Sequence, residues 1–149
     1  MPASSRIRIR HVGGAQQAGM EEAAHVLESP RWRWLGALPH GEARRRIARS
    51  RLLVISSCME GGANVICEAV AAGTPVLASR ISGNVGMLGE DYAGYFPLGD
   101  EAALATLMLR AETDPAYLAL LQRQCAARAP LFLPEREAAA VRVLIEELT

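Results

Sequence analysis

The sequence contains no lysine, and all sixteen of its basic residues are arginine. A phosphate-binding P-loop, a Schiff-base enzyme and any mechanism that depends on a catalytic lysine are therefore excluded. Acidic and basic residues balance to a formal net charge of zero. Because there is no excess of positive charge, we do not expect a long-range electrostatic field that would attract nucleic acid.

Cysteines are few and long apolar runs are absent. The three cysteines, Cys58, Cys67 and Cys125, lack the spacing of metal ligands, and their odd number favours a reducing cytosol. The three histidines are also scattered, so we expect no bound metal. The longest apolar stretch, "AVAAGTPVLA", is broken by glycine and proline, and no charged-then-apolar leader opens the chain. We therefore expect a cytoplasmic protein without a membrane-spanning segment.

The order of helical and extended patterns indicates the fold class. The 149 residues, half of them hydrophobic, have the size of one domain. Apolar runs and alternation predict strands at 6–14, 31–38, 52–57 and 75–79, and helical spacing predicts helices at 15–29, 41–49, 64–72, 101–112, 114–129 and 135–148. The stretch 82–100 is predicted to be a glycine-rich loop with a short strand at "GYFPL". We predict a single α/β domain over 1–149, built on a parallel sheet with right-handed crossovers.

The segment "SSCMEGGANVICEA" (56–69) follows a predicted buried strand and opens a predicted helix. Ligands of an open parallel sheet bind beyond the carboxyl ends of its strands, and unpaired N–H groups at the start of a helix suit a phosphate. Gly61 and Gly62 would let a diphosphate approach the backbone closely. Glu68, about one turn into the helix, can accept from two vicinal ribose hydroxyls, and Glu60 from hydroxyls of a group beyond the phosphates. The segment therefore indicates recognition of a sugar, a diphosphate and a ribose.

The same residues allow a second interpretation of equal weight. In it, the glycines form a turn and the two glutamates are solvated, one of them favoured by the helix dipole. The motif "GNVGMLG" (83–89) also has two interpretations, a loop bordering the cleft or glycines required by backbone geometry, and the second is favoured. The arginines of "EARRRIARSR" (42–51) also have two interpretations, assistance to a phosphate or an acceptor, or a solvated helix face, and the second is favoured.

The ordered combination of motifs resembles the C-terminal domain of retaining glycosyltransferases with the GT-B fold, of the family-4 type (group 1). The matching features are a strand ending in Ser56, the pair Glu60-Gly61, seven residues between Glu60 and Glu68, and then "AAGTPVLAS" (71–79) and "GDEAALA" (99–105). The resemblance extends over about residues 6–148. It implies a Rossmann-like open parallel sheet flanked by helices, which forms one half of a GT-B fold.

The resemblance also implies roles for residues of the opening segment. Glu60 would be the catalytic-site residue and would contact the donor sugar. Glu68 would hold the ribose hydroxyls of a nucleotide-sugar donor. The diphosphate or the sugar would meet the backbone of Gly61, Gly62, Ala63, Asn64 and Val65.

A second segment would contact the base of the donor. In the turn "GALPH" (36–40), the resemblance assigns this role to Gly36, Leu38, Pro39 and His40. A UDP-sugar is the favoured donor. Enzymes of this kind use no metal, so no cofactor is expected, and the leaving diphosphate would be stabilised by the helix end and by basic side chains.

The sequence departs from the family pattern, and some of the differences indicate that parts of the enzyme are missing. Gly62-Ala63-Asn64 occurs where the family commonly has an aromatic residue followed by another glycine. The family's arginine–lysine pair is missing, because it normally comes from upstream elements and this chain has no lysine. The first domain of the fold, which supplies the acceptor site, is not represented either. We therefore expect part of a larger enzyme, with the N-terminal domain of the same polypeptide as its partner, that binds a nucleotide sugar but is inactive alone.

Within the family, "SSCMEGGANV", "SGNVG" and "GYFPLGD" resemble a bacterial branch associated with selenosugar formation. Two other functions compete with glycosyl transfer. A nucleotide-sugar epimerase or hydrolase would need an acid–base residue near the glycosidic carbon, and no histidine falls in the motif. The other competing function is a non-catalytic nucleotide-binding or scaffold module. In a binding or scaffold module where Glu60 and Glu68 are incidental, no nucleotide would bind at millimolar concentration.

Overall fold

The computed structural model describes residues 2–15 and 19–148. The chain divides into two compact units, Met1–Arg46 and Ile47–Thr149, called below the N-terminal and the C-terminal unit. Among the described residues, no helix combines the length and the apolar character needed to cross a membrane.

The N-terminal unit contains a two-stranded parallel sheet. Its elements are β1 (Ile9–His11), α1 (Met20–Val26) and β2 (Trp32–Trp34). Ile9 lies opposite Trp32, and the indole N–H of Trp34 donates to the carbonyl of Gly13 at 2.8 Å. The predicted strands 6–14 and 31–38 are confirmed but shorter, since the paired ladder covers three residues of each. The predicted helix 15–29 contains α1, and its residues 16–18 lie outside the described part of the chain.

Helix α2 (His40–Arg49) follows β2 and matches the helix predicted at 41–49. It begins after Pro39, whose carbonyl accepts from the N–H groups of Glu42 and Ala43 at 2.8 and 3.0 Å. Ile47 is buried, whereas the arginines of the helix are exposed. The interpretation of this arginine run as a solvated helix face is therefore confirmed.

The C-terminal unit is a three-stranded parallel sheet flanked by helices. Its elements are β3 (Leu53–Ile55), α3 (Asn64–Ala71), β4 (Val76–Ser79), α4 (Ser82–Leu88), β5 (Tyr95–Phe96), α5 (Glu101–Thr113), α6 (Pro115–Arg128), a 3₁₀ turn (Ala129–Phe132) and α7 (Pro134–Leu148). The strand order is β3-β4-β5, with β4 in the centre. Ala78 of β4 lies opposite Ile55 on one side and Tyr95 on the other. Parallel pairing places the carboxyl ends of all three strands at one edge of the sheet.

Apolar side chains of β4 and α3 form part of the core of this unit. Val76, Leu77 and Ala78 of β4 are fully buried, and Ile66 of α3 is too. Burying one such aliphatic side chain stabilises the fold by roughly 1.5–3 kcal/mol. The predicted strand 75–79 is therefore confirmed as β4, a buried strand at the centre of the sheet.

Helix α3 ends where the sequence predicted. Gly73 adopts φ 72°, the left-handed conformation that favours glycine, and its N–H donates to the carbonyl of Val70 at 3.1 Å. The N–H of Thr74 then donates to the carbonyl of Ala69 at 2.8 Å. These two bonds satisfy carbonyls that would otherwise be unpaired at the end of the helix.

The prediction of a loop throughout 82–100 is wrong for its first part, because residues Ser82–Leu88 form helix α4. Gly83 and Gly86 each lower helix propensity by roughly 1 kcal/mol relative to alanine, which is why the segment did not look helical. The short strand predicted at "GYFPL" is confirmed as β5.

Helix α4 is stabilised by side chains from β5 and α6. The hydroxyl of Tyr95 donates to the carbonyls of Asn84 and Gly89 at 3.2 and 2.8 Å. Burial raises the pKa of Tyr95 to about 12, so this hydroxyl keeps its proton over the physiological pH range. Arg128 of α6 donates to the carbonyls of Met87 and Gly86 at 2.8 and 3.1 Å. These contacts fill acceptors at the end of a helix that local propensity alone would not form.

The last three helices agree with their predicted positions. Asp100 and Asp114 cap α5 and α6, accepting from the N–H groups of Ala103 and Tyr117 at 2.8 and 3.0 Å. Helix α7 carries exposed apolar side chains, namely Val141, Val143, Leu144 and Ile145.

Candidate functional site

The segment 56–63 connects the carboxyl end of β3 to the start of α3 and carries the first predicted site residue. Glu60 is half-buried in this segment. One of its carboxylate oxygens, Oε1, accepts a hydrogen bond from the hydroxyl of Ser57 at 2.8 Å. Ser56, the serine of the family pattern, is exposed. The hydrogen bond that fixes Glu60 therefore comes from Ser57 and not from Ser56.

The start of helix α3 has an open N-terminus. Ala63 is the N-cap residue and has no side-chain acceptor, and no acidic side chain lies in the first turn. Gly61, Gly62 and Asn64 are exposed, so this end of the helix reaches solvent. N–H groups at such an end, together with the helix dipole, favour an anion. The predicted location of an anion-binding helix end is thus compatible with the geometry.

Glu68 lies one turn further along α3, four residues after Asn64. Residues at this spacing share a helix face. Glu68 is half-buried, while its neighbours Ile66 and Ala69 point into the core. It therefore lies at the border between the packed face of α3 and the surface, about one turn from the start of the helix.

A depression of about 330 Å³ lies beside Glu60, between the 56–63 segment and helix α4. It is lined by Glu60, Gly61, Ser82, Gly83, Gly86 and Met87. Two glycines of "GNVGMLG", Gly83 and Gly86, thus do border the candidate site, but as part of a helix. Both interpretations of that motif are therefore correct in part: Gly83 and Gly86 line the depression, and Gly83 also meets a steric need.

That steric need is visible at Gly83. A Cβ atom at this position would lie 2.0 Å from the carbonyl oxygen of Glu60 and 2.8 Å from its carbonyl carbon. Any side chain at this position would collide with backbone. Gly83 was not predicted as a site residue, although the quoted motif "SGNVG" contained it.

The second predicted set of site residues lies in the N-terminal unit, in the turn between β2 and α2. Gly36 adopts φ 66°, and its carbonyl accepts from the N–H of Gly13 at 2.9 Å. Leu38 is half-buried, whereas Pro39 and His40 are exposed at the start of α2. The turn is therefore accessible, and its backbone conformation requires glycine at Gly36.

Comparison with known families decides the class of protein. Residues 2–114 match the profile of the family described as glycosyl transferases group 1. The chain belongs to this family. A comparison with curated protein sequences finds no match.

Several solved structures share the fold of this group 1 glycosyltransferase. Sucrose-phosphate synthase from Thermosynechococcus elongatus is 26% identical, with a TM-score of 0.75, over 93% of this chain and 38% of its own. HepE from Anabaena, solved in complex with UDP-glucose, is 19% identical, with a TM-score of 0.73, over 91% of this chain and 40% of its own. A GtfA/B complex is 18% identical, with a TM-score of 0.74, over 94% of this chain and 29% of its own.

These matches confirm the predicted GT-B relationship and the α/β architecture of the group 1 glycosyltransferase chain. The chain spans about two fifths or less of the length of these structures. The selenosugar branch and the roles of the individual site residues remain predictions.

Proposed function

We propose that this chain is the donor-binding part of a retaining, metal-independent glycosyltransferase whose donor is a nucleotide-diphosphate sugar, most favourably a UDP-sugar. The observation that carries this proposal is the open N-terminus of α3, with a carboxylate on each side of it. Glu60 precedes the helix and Glu68 lies one turn inside it. A sugar, a diphosphate and a ribose form a linear sequence of groups, and the segment offers matching partners in the same order.

The diphosphate lies at the start of α3 in this proposal. The exposed backbone of Gly61 and Gly62 has no side chains that would keep a phosphate away, and the first turn of the helix supplies N–H donors. Ala63, Asn64 and Val65 contribute through their backbone. Since the leaving group of glycosyl transfer is a nucleoside diphosphate, the same donors would stabilise the negative charge that develops in the transition state.

Glu68 and Glu60 bind the two polyhydroxylated groups. A carboxylate can accept from two vicinal hydroxyls at once, and hydrogen bonds to a charged acceptor are about twice as strong as neutral ones. Glu68 takes the ribose. Glu60 takes the donor sugar, which occupies the depression beside it. The predicted contact of the base with the backbone at Gly36, Leu38, Pro39 and His40 concerns the N-terminal unit by itself and stays a prediction.

The acceptor site belongs to another domain of the same polypeptide in this proposal. The support is that the similar structures are more than twice as long as this chain, which covers 38% and 40% of two of them. Glycosyl transfer requires an acceptor beside the donor, so the chain alone is expected to bind the donor and not to turn it over.

Binding of nucleotides to the 149-residue chain tests the proposal. Calorimetry or ligand-observed NMR would compare UDP, UDP-glucose and the corresponding GDP- and ADP-sugars. Glu68→Gln is expected to weaken UDP binding by about 10- to 100-fold, because loss of the charge weakens two hydrogen bonds and costs roughly 1.4–2.8 kcal/mol of binding free energy in total.

Glu101→Gln is the matched control, since Glu101 is exposed at the start of α5 and does not line the depression beside Glu60. It should bind as the wild type does. Equal affinity of Glu68→Gln and Glu101→Gln for UDP would contradict the role of Glu68. Absence of binding by every nucleotide at millimolar concentration would favour a non-catalytic module instead.

A further inference from the structure

The carboxylate of Glu60 is held on one side only. Oε1 accepts from the hydroxyl of Ser57, while Oε2 accepts no hydrogen bond from the described residues. A carboxylate that rotated freely would offer a ligand both oxygens in many orientations. The bond to Ser57 selects one orientation and leaves the second oxygen for a ligand hydroxyl.

Ser57 is itself fixed from the neighbouring strand and from α4. Its backbone carbonyl accepts from the hydroxyl of Ser79 at 2.7 Å. Ser79 ends β4 and accepts from the side-chain amide of Asn84, at 2.9 Å to its carbonyl and 3.3 Å to its hydroxyl. Ser79 and Asn84 are both 0% exposed. The bonds between Ser79 and Asn84 are buried, and the bonds from Ser79 to Ser57 and from Ser57 to Glu60 are part-buried, so this series connects Glu60 to the interior of the unit.

Helix α4 also meets Glu60 through its backbone. The space for a Cβ at Gly83 is already occupied by the carbonyl group of Glu60. By contrast, a Cβ at Gly86, three residues further along the same helix, would have no atom within 4 Å. The requirement for glycine at Gly83 is therefore set by Glu60 and not by the helix.

We propose that Ser57 and Gly83 are positioning residues for Glu60, and that together they determine how well the site binds the sugar of the donor. Ser57 fixes the side chain and Gly83 allows the main chain of Glu60 to pack against α4. Asn84 and Ser79 support Ser57 from the interior. The sugar as ligand rests on the function proposed above, whereas the positioning itself can be measured without any ligand.

The first experiment uses the unliganded chain and observes Glu60 directly. The ¹³Cδ resonance of Glu60 and the amide resonances of residues 60–63 would be compared in Gly83→Ala and Gly86→Ala. Both variants make the same chemical change in the same helix. Gly83→Ala should shift these resonances and lower the melting temperature, while Gly86→Ala should leave them in place. Equal spectra around Glu60 in the two variants would overturn the role of Gly83.

Ser57 supplies a second, milder variant in case Gly83→Ala does not fold. Ser57→Ala should move the Glu60 ¹³Cδ resonance, and Ser57→Thr, which keeps a hydroxyl, should restore it. Thr106→Ala is the control, because its hydroxyl bonds to the carbonyl of Ala102 within α5. A Glu60 resonance unchanged in Ser57→Ala would overturn the role of Ser57.

The second experiment measures the affinities for UDP and UDP-glucose and uses their ratio. Ser57→Ala should bind UDP like the wild type but UDP-glucose about tenfold more weakly, since one hydrogen bond of roughly 1–1.5 kcal/mol no longer orients Glu60. Ser57→Thr should restore the ratio, and Glu60→Gln should resemble Ser57→Ala. An equal loss of affinity for UDP and for UDP-glucose in Ser57→Ala would overturn the proposal that Ser57 and Glu60 act on the sugar. A wild-type chain that binds neither ligand would contradict the proposed function, and the spectra would then decide the positioning alone.

Discussion

The guanidinium of Arg128 donates from Nε to the carbonyl oxygen of Met87 at 2.8 Å. This bond joins the end of α6 to the end of α4, the helix that borders the depression beside Glu60. A cation at the C-terminal end of a helix is favourable because it meets the partial negative charge of unpaired carbonyls. The candidate site therefore depends on a residue far from it in the sequence.

We expect Arg128→Ala to lower the free energy of unfolding by about 1–2 kcal/mol, because two carbonyls of α4 lose a charged donor. Urea denaturation measures this directly. Arg123→Ala, an exposed arginine of the same helix, serves as the control and should change stability by less than about 0.5 kcal/mol. Equal stabilities of the two variants would show that α4 does not need this contact.

An acidic group at the start of α3 should stabilise the fold and at the same time weaken the binding of UDP. Asn64→Asp is nearly isosteric and exposed, and a negative charge there favours the helix dipole by about 0.3–1 kcal/mol. The same charge repels a diphosphate, so we expect UDP affinity to fall about tenfold and to recover partly at high salt. Gln122→Glu, an equivalent change on the exposed face of α6, should leave UDP affinity unchanged. Unaltered UDP binding by Asn64→Asp would place the diphosphate elsewhere.

The left-handed conformation of Gly73 should make it intolerant of other residues. Its φ is 72°, and a Cβ atom added there would have no other atom within 4 Å, so the penalty for alanine is backbone strain and not a clash. We expect Gly73→Ala to lower the free energy of unfolding by about 1–2 kcal/mol and Gly73→Asn to lower it less. Chemical denaturation of the two variants tests this order. A more stable Gly73→Ala would mean that α3 ends differently in solution.

The buried hydroxyl of Tyr92 should make stability fall at high pH. Burial raises the pKa of Tyr92 far above its usual value, and its hydroxyl bonds to the carbonyl of Val76 and the thiol of Cys125. The unfolded chain loses this proton first, near pH 10, so the stabilising contribution is complete below that pH and declines as the pH rises above it. The slope expected from this one group is about 1.4 kcal/mol per pH unit.

Tyr92→Phe provides the comparison. It should be less stable than the wild type at pH 8, because the backbone of Val76 loses its hydroxyl partner. Above pH 10 its stability should depend less steeply on pH than that of the wild type. Denaturation curves between pH 8 and 11 measure both effects, and parallel pH dependences would show that Tyr92 ionises equally in both states.

The fold was predictable where the local pattern and the tertiary environment agree. The apolar run at 75–79 correctly predicted the strand β4, and the helix predicted at 64–72 agrees with α3 to within one residue. Helix α4 was missed because Gly83 and Gly86 argue against a helix locally, while Tyr95 and Arg128 stabilise it from outside. Propensity acts over a few neighbouring residues, so it could not report these contacts.

The sequence by itself determined that a glycine pair and two glutamates accompany the start of a helix after a buried strand, because strand, turn and helix signals are local. Only the tertiary structure decided how Glu60 is oriented. The hydroxyl of Ser57 donates to the carboxylate of Glu60, and the hydroxyl of Ser79 donates to the carbonyl of Ser57. Gly83 leaves room for the carbonyl group of Glu60. These relationships join three segments whose proximity arises from the parallel pairing of β3 with β4 and the packing of α4. No local pattern records which residues that packing brings together.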